Sequence, residues 1–120
     1  MAFLISIHPQ NTQPRLVRQA TATIRDATVV VYPTHSSYAL GCLIGDKEAM
    51  ERIRRIRDVD VKQHNFTLVC RDLSEIAKYA RVDNSQYRTL KAFTPGPYTF
   101  LLEATREVPK RLQNPKRRTI

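Results

Sequence analysis

Four residues, Val29-Val30-Val31-Tyr32, followed at once by Pro33, constrain this chain more than any other stretch. β-Branched and aromatic side chains without a polar break suit a strand buried on both faces, and proline ends it because its ring offers no ladder N–H. Hydroxyls begin where the strand stops, at Thr34, Ser36, Ser37 and Tyr38, with His35 among them. In open α/β sheets ligands collect beyond the carboxyl ends of strands, so these side chains stand where a polar ligand is held. The competing reading is a turn that satisfies its own Ser and Thr hydroxyls without any ligand.

On either side of this stretch the pattern alternates between strand and helix. Phe3 to Ile7 reads as a strand closed by His8-Pro9, and Pro14 opens a helix whose apolar residues Leu16, Val17, Ala20 and Ile24 keep helical spacing through Asp26. With the strand Thr28 to Tyr32 this makes a crossover unit if the two strands are parallel, and so an α/β fold. Tyr38 to Ile44 is a further extended piece, and Asp46 caps a helix from Lys47 to about Arg57 with Ala49, Met50, Ile53 and Ile56 as its buried stripe. Glu48 precedes Arg52 by four and Glu51 precedes Arg55 by four, which leaves Arg54 and Arg57 without a local partner. Arg57 also suits the negative end of the helix dipole.

Beyond a polar connection from Asp58 to Asn65, which holds Lys62 and His64, Phe66 to Cys70 reads as a strand. Asp72 or Ser74 caps a helix to about Arg81, and Asp83 or Asn84 caps another with Tyr87, Leu90 and Phe93 on its apolar side. Pro95-Gly96-Pro97 fixes a turn, and a strand follows through Leu102. Pro109 and Pro115 prevent one long helix in the tail, where Lys116 to Ile120 begins another strand.

At 120 residues the chain has room for one domain and one core. Its net charge of +9 is uneven: residues 1–60 hold eight basic and six acidic side chains, and residues 61–120 hold twelve and five. The second half points to polyanions such as RNA, or to phosphate-bearing ligands, against the alternative of a solvated surface. No run approaches the roughly 20 apolar residues a membrane span needs, and no secretory leader is evident, so the cytoplasm is the expected compartment. Cys42 and Cys70 are read as buried free thiols, and His8, His35, His64 and the cysteines lack the spacing of a metal site. The Gly-x-x-x-x-Gly-Lys-Ser/Thr phosphate loop is absent, and His35 beside Ser36 is adjacency in sequence, which is not the geometry of a nucleophilic triad.

Two motifs carry a resemblance. Pro33-Thr34-His35-Ser36-Ser37-Tyr38-Ala39-Leu40-Gly41-Cys42 is similar to the Pro-Thr-acid-Thr-x-Tyr-Gly-Leu of the YrdC/YciO family, closest to its YciO branch, with His35 for the acid, Ser36 for a threonine and Ala39 for a glycine. Thr94-Pro95-Gly96-Pro97-Tyr98-Thr99 resembles the family's Pro-Gly-Pro-x-Thr turn, which lines the substrate cleft. The resemblance implies a twisted, mostly mixed β-sheet flanked by helices, of which this chain is read as an incomplete single domain, lacking the family's later Gly-x-Arg and Ser-x-Asn segments. An uncovered sheet edge would then invite self-association.

It also implies site residues. The family's Lys-x-Arg, which holds the ATP triphosphate, falls on Arg55-Ile56-Arg57, with arginine where relatives have lysine, and Asp58 stands where they commonly have proline. Arg55, Arg57 and Thr99 would bind nucleotide, and Thr34, Ser36 and Tyr38 would hold threonine. ATP with Mg2+ would be a substrate complex, with no protein-bound metal. Relatives join threonine, bicarbonate and ATP into threonylcarbamoyl-AMP with release of pyrophosphate, towards a modified adenosine in tRNA. Lys78, Arg81, Arg88, Lys91, Lys116, Arg117 and Arg118 are the candidate contacts to double-stranded RNA or tRNA. Nucleotide and RNA binding ranks first, an active synthase second, and a fragment without activity of its own third.

Overall fold

Three aspartates fix the starts of three helices. In the computed structural model, which describes residues 2–26, 29–58, 66–113 and 116–120, the Asp46 carboxylate accepts the Ala49 N–H at 3.0 Å, Asp72 that of Glu75 at 2.9 Å and Asp83 that of Gln86 at 2.7 Å. Each satisfies a backbone donor that the first helical turn leaves without a partner. The described residues fall into two compact units, Met1–Asp60 and Val61–Ile120.

In the first unit, helix α1 (Pro14–Arg25) begins with proline at its first position and buries no residue fully, Leu16, Ala20 and Ile24 being half-covered. Strands β1 (Val30–Pro33) and β2 (Tyr38–Gly41) pair antiparallel as a hairpin, Val30 opposite Gly41 and Pro33 opposite Tyr38. Helix α2 (Lys47–Arg57) supplies the buried apolar residues Ala49, Met50 and Ile53. Burying a side chain of the size of Met50 or Ile53 stabilises by about 1.5–3 kcal/mol. Ile56, expected in the same stripe, is 57% exposed, because it falls beyond the part of the helix that the unit covers.

The second unit holds α3 (Leu73–Tyr79), β3 (Ala80–Arg81), α4 (Asn84–Phe93) and β4 (Glu103–Ala104) around Ala80, Leu90, Val108 and Leu112. A capping box closes the start of α4, with the Gln86 side chain accepting the Asp83 N–H at 3.0 Å. β3 pairs antiparallel with β4, and the tail lies along the other edge of β4 through the bridge from Glu103 to Thr119. Leu102 and Ile120 exchange two backbone hydrogen bonds of 3.0 Å, but of the strand expected from Lys116 to Ile120 only an isolated bridge at Thr119 forms, Lys116 and Arg117 being in a turn. Thr105 ties this sheet to α3, its hydroxyl donating to the Lys78 carbonyl at 2.6 Å.

The α/β class expected from the sequence holds, with four helices and small antiparallel sheets among the described residues. Several strands differ. Phe3 to Ile7 and Phe66 to Cys70 belong to no strand among the described residues, so the crossover expected before β1 is not seen there, and the neighbour of β1 is the antiparallel β2. With one neighbour and one covered face, β1 alternates instead of being buried on both sides, and Val31 is 63% exposed. Helix α3 ends at Tyr79 because Ala80 and Arg81 turn into the ladder with β4, and the strand expected after Gly96 begins only at Glu103. Among the described residues no helix is long and apolar enough to cross a membrane.

Candidate functional site

Pro33 and Tyr38 are the closing pair of the hairpin, so Thr34 to Ser37 form its loop. Thr34 shuts that loop twice: its backbone N–H and its hydroxyl both donate to the Ser37 carbonyl at 2.7 Å. The same hydroxyl accepts the Ser37 N–H at 3.3 Å, and the Ser37 hydroxyl lies 3.4 Å from the Tyr38 carbonyl oxygen. The loop thus employs Thr34 and Ser37 in its own turn. His35, Ser36 and the 75% exposed Tyr38 project to solvent with no side-chain hydrogen bond among the described residues. Of the three residues expected to hold substrate, Ser36 and Tyr38 have their hydroxyls open, and Thr34 has its hydroxyl employed in the fold.

Helix α2 sorts its arginines differently from the four-residue spacing in the sequence. Glu51 pairs with Arg54, three residues on, and Arg54 is buried to 8% exposure. Helical neighbours at three and four compete, and the one turned towards the core wins because burial strengthens the pairing. Arg52, Arg55 and Arg57 are exposed and make no ion pair among the described residues. Two residues along a helix is a rotation of about 200°, so Arg55 and Arg57 leave opposite sides of the last turn. Asp58 closes the helix at φ 48°, its N–H reaching the carbonyls of Arg54 and Arg55. Proline cannot adopt that φ, so the helix end seen here is open to aspartate and closed to proline. Lys62 and His64 lie outside the described residues.

In the second unit Thr99 is exposed just after the Pro95-Gly96-Pro97 turn. The turn is held by the rings of Phe93 and Tyr98, edge to face at 5.4 Å. Of the cations expected to meet RNA, Arg88 and Lys91 are exposed on α4, the Lys78 ammonium lies 5.3 Å from the centre of the Tyr79 ring, and Lys116, Arg117 and Arg118 are exposed in the tail. Arg81 is less free than its sequence neighbours suggest: it bonds Glu103 across the β3–β4 pair at 3.1 Å. Only strand register brings that carboxylate to it, and no spacing in the sequence shows it.

Cys42 and Cys70 are free but only half-buried, against the expectation of fully buried thiols, because neither lies in a paired strand. Burial, aided by Asp46 for Cys42 and by Glu75 and Asp72 for Cys70, pushes both thiols above the usual range. A shallow cavity of about 230 Å³ lies between α3 and α4, lined by Leu73, Ala77, Asp83, Tyr87 and Leu90, and another of about 150 Å³ lies between α4 and the segment of Phe100 and Leu102. Neither is lined by Thr34, Ser36, Tyr38, Arg55, Arg57 or Thr99. Among the described residues no group of three or more His, Cys, Asp or Glu side chains is placed to hold a metal ion.

Comparison with known proteins adds to this geometry. The family model Sua5_yciO_yrdC, described as "Telomere recombination", matches residues 22–120. YciO of Escherichia coli K12 is 56% identical over 120 residues, all of this chain and 58% of that protein, and the crystal structure of E. coli YciO superposes with a TM-score of 0.91 over the same shares. A threonylcarbamoyl-AMP synthase of Chromobacterium violaceum is 33% identical over 106 residues, 88% of this chain and 54% of that one. Sua5 of P. abyssi, crystallised with L-threonine, has the same fold, with a TM-score of 0.77 at 23% identity over 87% of this chain and 31% of its own. The chain therefore spans 58% of the length of YciO.

Proposed function

The chain belongs to the Sua5/YciO/YrdC family and is related to threonylcarbamoyl-AMP synthases; from that premise we propose that it binds ATP with Mg2+ and double-stranded RNA or tRNA in the cytoplasm. The observation that carries the nucleotide half is the division of labour on α2. Arg54 is withdrawn into the unit with Glu51, while Arg55 and Arg57 remain exposed around the end of the helix. A guanidinium offers two parallel donors to a phosphate and keeps its charge at any physiological pH. The open hydroxyls of Ser36 and Tyr38, one hairpin earlier in the same unit, supply polar groups for a small ligand such as threonine. For RNA the support is the set of exposed cations Lys78, Arg88 and Lys91 on α3 and α4, where shape-led recognition of a duplex needs phosphate contacts more than base readout.

ATP binding measured by calorimetry tests the first half. A hydrogen bond to a charged group is worth roughly 1.5–3 kcal/mol, so Arg57→Ala should weaken ATP about tenfold or more, while Arg52→Ala changes it little. Equal losses would make the end of α2 ordinary surface. Affinity for a short RNA duplex should fall steeply between low and physiological salt, since each neutralised phosphate releases counterions. A flat salt titration removes the phosphate-led account.

The 33% identity to a threonylcarbamoyl-AMP synthase favours a second reading, in which the bound groups react. There the carboxylate of the carbamate formed from threonine and bicarbonate attacks the α-phosphorus, and the bond to pyrophosphate breaks. Cations fixed near the leaving group would stabilise the charge that develops on it. Threonine-dependent pyrophosphate release above a blank without protein would put this reading first. Its absence, with ATP binding intact, leaves the binding reading standing.

A further inference from the structure

Helix α1 holds three arginines, Arg15, Arg18 and Arg25, and no acidic residue. At about 100° per residue, Arg15, Arg18, Ala22 and Arg25 fall within about 80° of one another, opposite Leu16, Ala20 and Ile24 on the half-covered side of the helix. All four are exposed, and the arginines make no ion pair among the described residues. They form a straight row about 15 Å long, Arg15 and Arg18 standing about 4.5 Å apart along the axis, with the small Ala22 in the wider gap before Arg25. Beside the row, Thr21 and Thr23 donate their hydroxyls to the Val17 and Gln19 carbonyls, both at 2.9 Å, so those protons are committed within the helix. Arg15 stands in the first turn and Arg18 just beyond it, towards the positive end of the helix dipole, where cations are disfavoured. No acidic residue in that turn offsets them, and the N-cap Gln13 makes no side-chain cap. A placement unfavourable to the helix alone becomes favourable beside carboxylates.

We propose that this face of α1 docks an acidic helix of a partner protein, whose carboxylates repeat at three- and four-residue spacing along one side. Such a helix runs beside the row and sets carboxylates at the same heights, and Ala22 lets the two backbones approach. Each guanidinium then takes a carboxylate through two parallel hydrogen bonds, and the matched charges fix orientation and specificity. A lipid surface would need large apolar side chains among the cations, and the row holds only alanine. A nucleic-acid strand winds away from a straight row, whereas a helix follows it. A second copy of this chain lacks the complement, since no described helix holds more than two acidic residues. The proposal is independent of the nucleotide and RNA reading, whose contacts are Arg55, Arg57, Lys78, Arg88 and Lys91.

The probe is a fluorescent peptide of about twenty residues, long enough to be helical by itself, built from alanine and glutamine with glutamate at i, i+3, i+7 and i+10. A control peptide of the same composition spreads its glutamates around the helix. Fluorescence anisotropy with the full chain at low salt reads binding. The striped peptide should bind about tenfold tighter than the control, and Arg15→Gln with Arg18→Gln should remove most of that difference. Lys47→Gln with Arg52→Gln, which takes the same charge from the exposed side of α2, should leave it. Arg15→Glu with Arg18→Glu suits the helix dipole, so the fold is not at risk, and should turn the preference to a lysine-striped peptide. Duplex RNA affinity should be the same in all these variants, which separates this face from the RNA reading. Equal binding of the two glutamate peptides, or equal losses from the α1 and α2 substitutions, would mean charge attraction alone and overturn the proposal. So would no binding of the striped peptide, or duplex RNA that displaces it and weakens with the α1 substitutions, which would give the face to nucleic acid.

Discussion

A methyl group added at Gly96 would lie 2.7 Å from the Phe93 carbonyl oxygen and 3.2 Å from the Tyr98 ring. The ring can swing away, but the carbonyl belongs to the last turn of α4 and cannot. Gly96→Ala is therefore expected to destabilise by about 1–3 kcal/mol, the range for overpacking a closed site. Gly45→Ala differs in cause: nothing lies within 4 Å, but φ is +85°, which costs an L-residue about 1–2 kcal/mol. Urea unfolding of both variants measures this, and a Gly96→Ala chain as stable as its parent would mean that the Phe93–Tyr98 turn is not closed in solution. At Asp72 the Glu75 backbone N–H, and after it the Arg71 guanidinium, hold the carboxyl below the usual carboxylate range. A carboxyl held lower when folded contributes stability above its ordinary pKa of about 4 and loses it as acid protonates the folded form. The amide of Glu75, which donates to this carboxylate, should thus lose protection relative to its intrinsic exchange rate as pH falls below about 4, and Asp72→Asn, which keeps an acceptor, should remove that dependence. The residue scale also shows where sequence misleads. Thr34 was legible as a hydroxyl past a strand, but whether it faces a ligand or closes its own loop depends on the Pro33–Tyr38 register, which composition does not carry.

Helix starts were readable from the sequence, and strands largely were not. Asp46 and Asp83 both cap where their positions before an apolar-periodic run suggest, because a cap is a contact over three residues. A strand exists only when a distant segment pairs with it, and Phe66 to Cys70 has the right side chains with no ladder among the described residues. Helix ends lie between these cases. Asp58 ends α2 in the left-handed region at φ 48° and sets a carboxylate beside the negative end of the helix dipole. Both features are unfavourable, so Asp58→Gly should stabilise the first unit by about 1 kcal/mol. Asp58→Pro should destabilise it, since the ring forbids this φ and the cap N–H to the Arg54 and Arg55 carbonyls is lost. Thermal unfolding of the two variants decides the matter. If proline is tolerated, the end of α2 takes another path, and with it the approach of Arg57 to any phosphate changes.

For the whole molecule the deciding quantity is surface. A folded protein of 13.9 kDa exposes about 6,700 Å², and two separate units of half that mass would expose about 8,000 Å² together. The observed 10199 Å² exceeds both. Large apolar side chains are exposed among the described residues: Phe3, Leu4, Val17 and Val31 in the first unit, Val69, Phe93, Tyr98 and Leu101 in the second, Leu101 being 78% exposed. An uncharged dye such as Nile red, which the positive chain does not attract electrostatically, should therefore brighten in buffer without denaturant. Leu101→Gln should lower that signal and shift stability by no more than about 0.5 kcal/mol, as surface changes do, while Leu90→Ala, at a side chain 2% exposed, should cost about 2–5 kcal/mol. The contrast is what tests the fold. A large loss at Leu101 would show that its side chain is covered in solution, by a second copy or by another part of this chain, and dilution would tell these apart, since only the first depends on concentration.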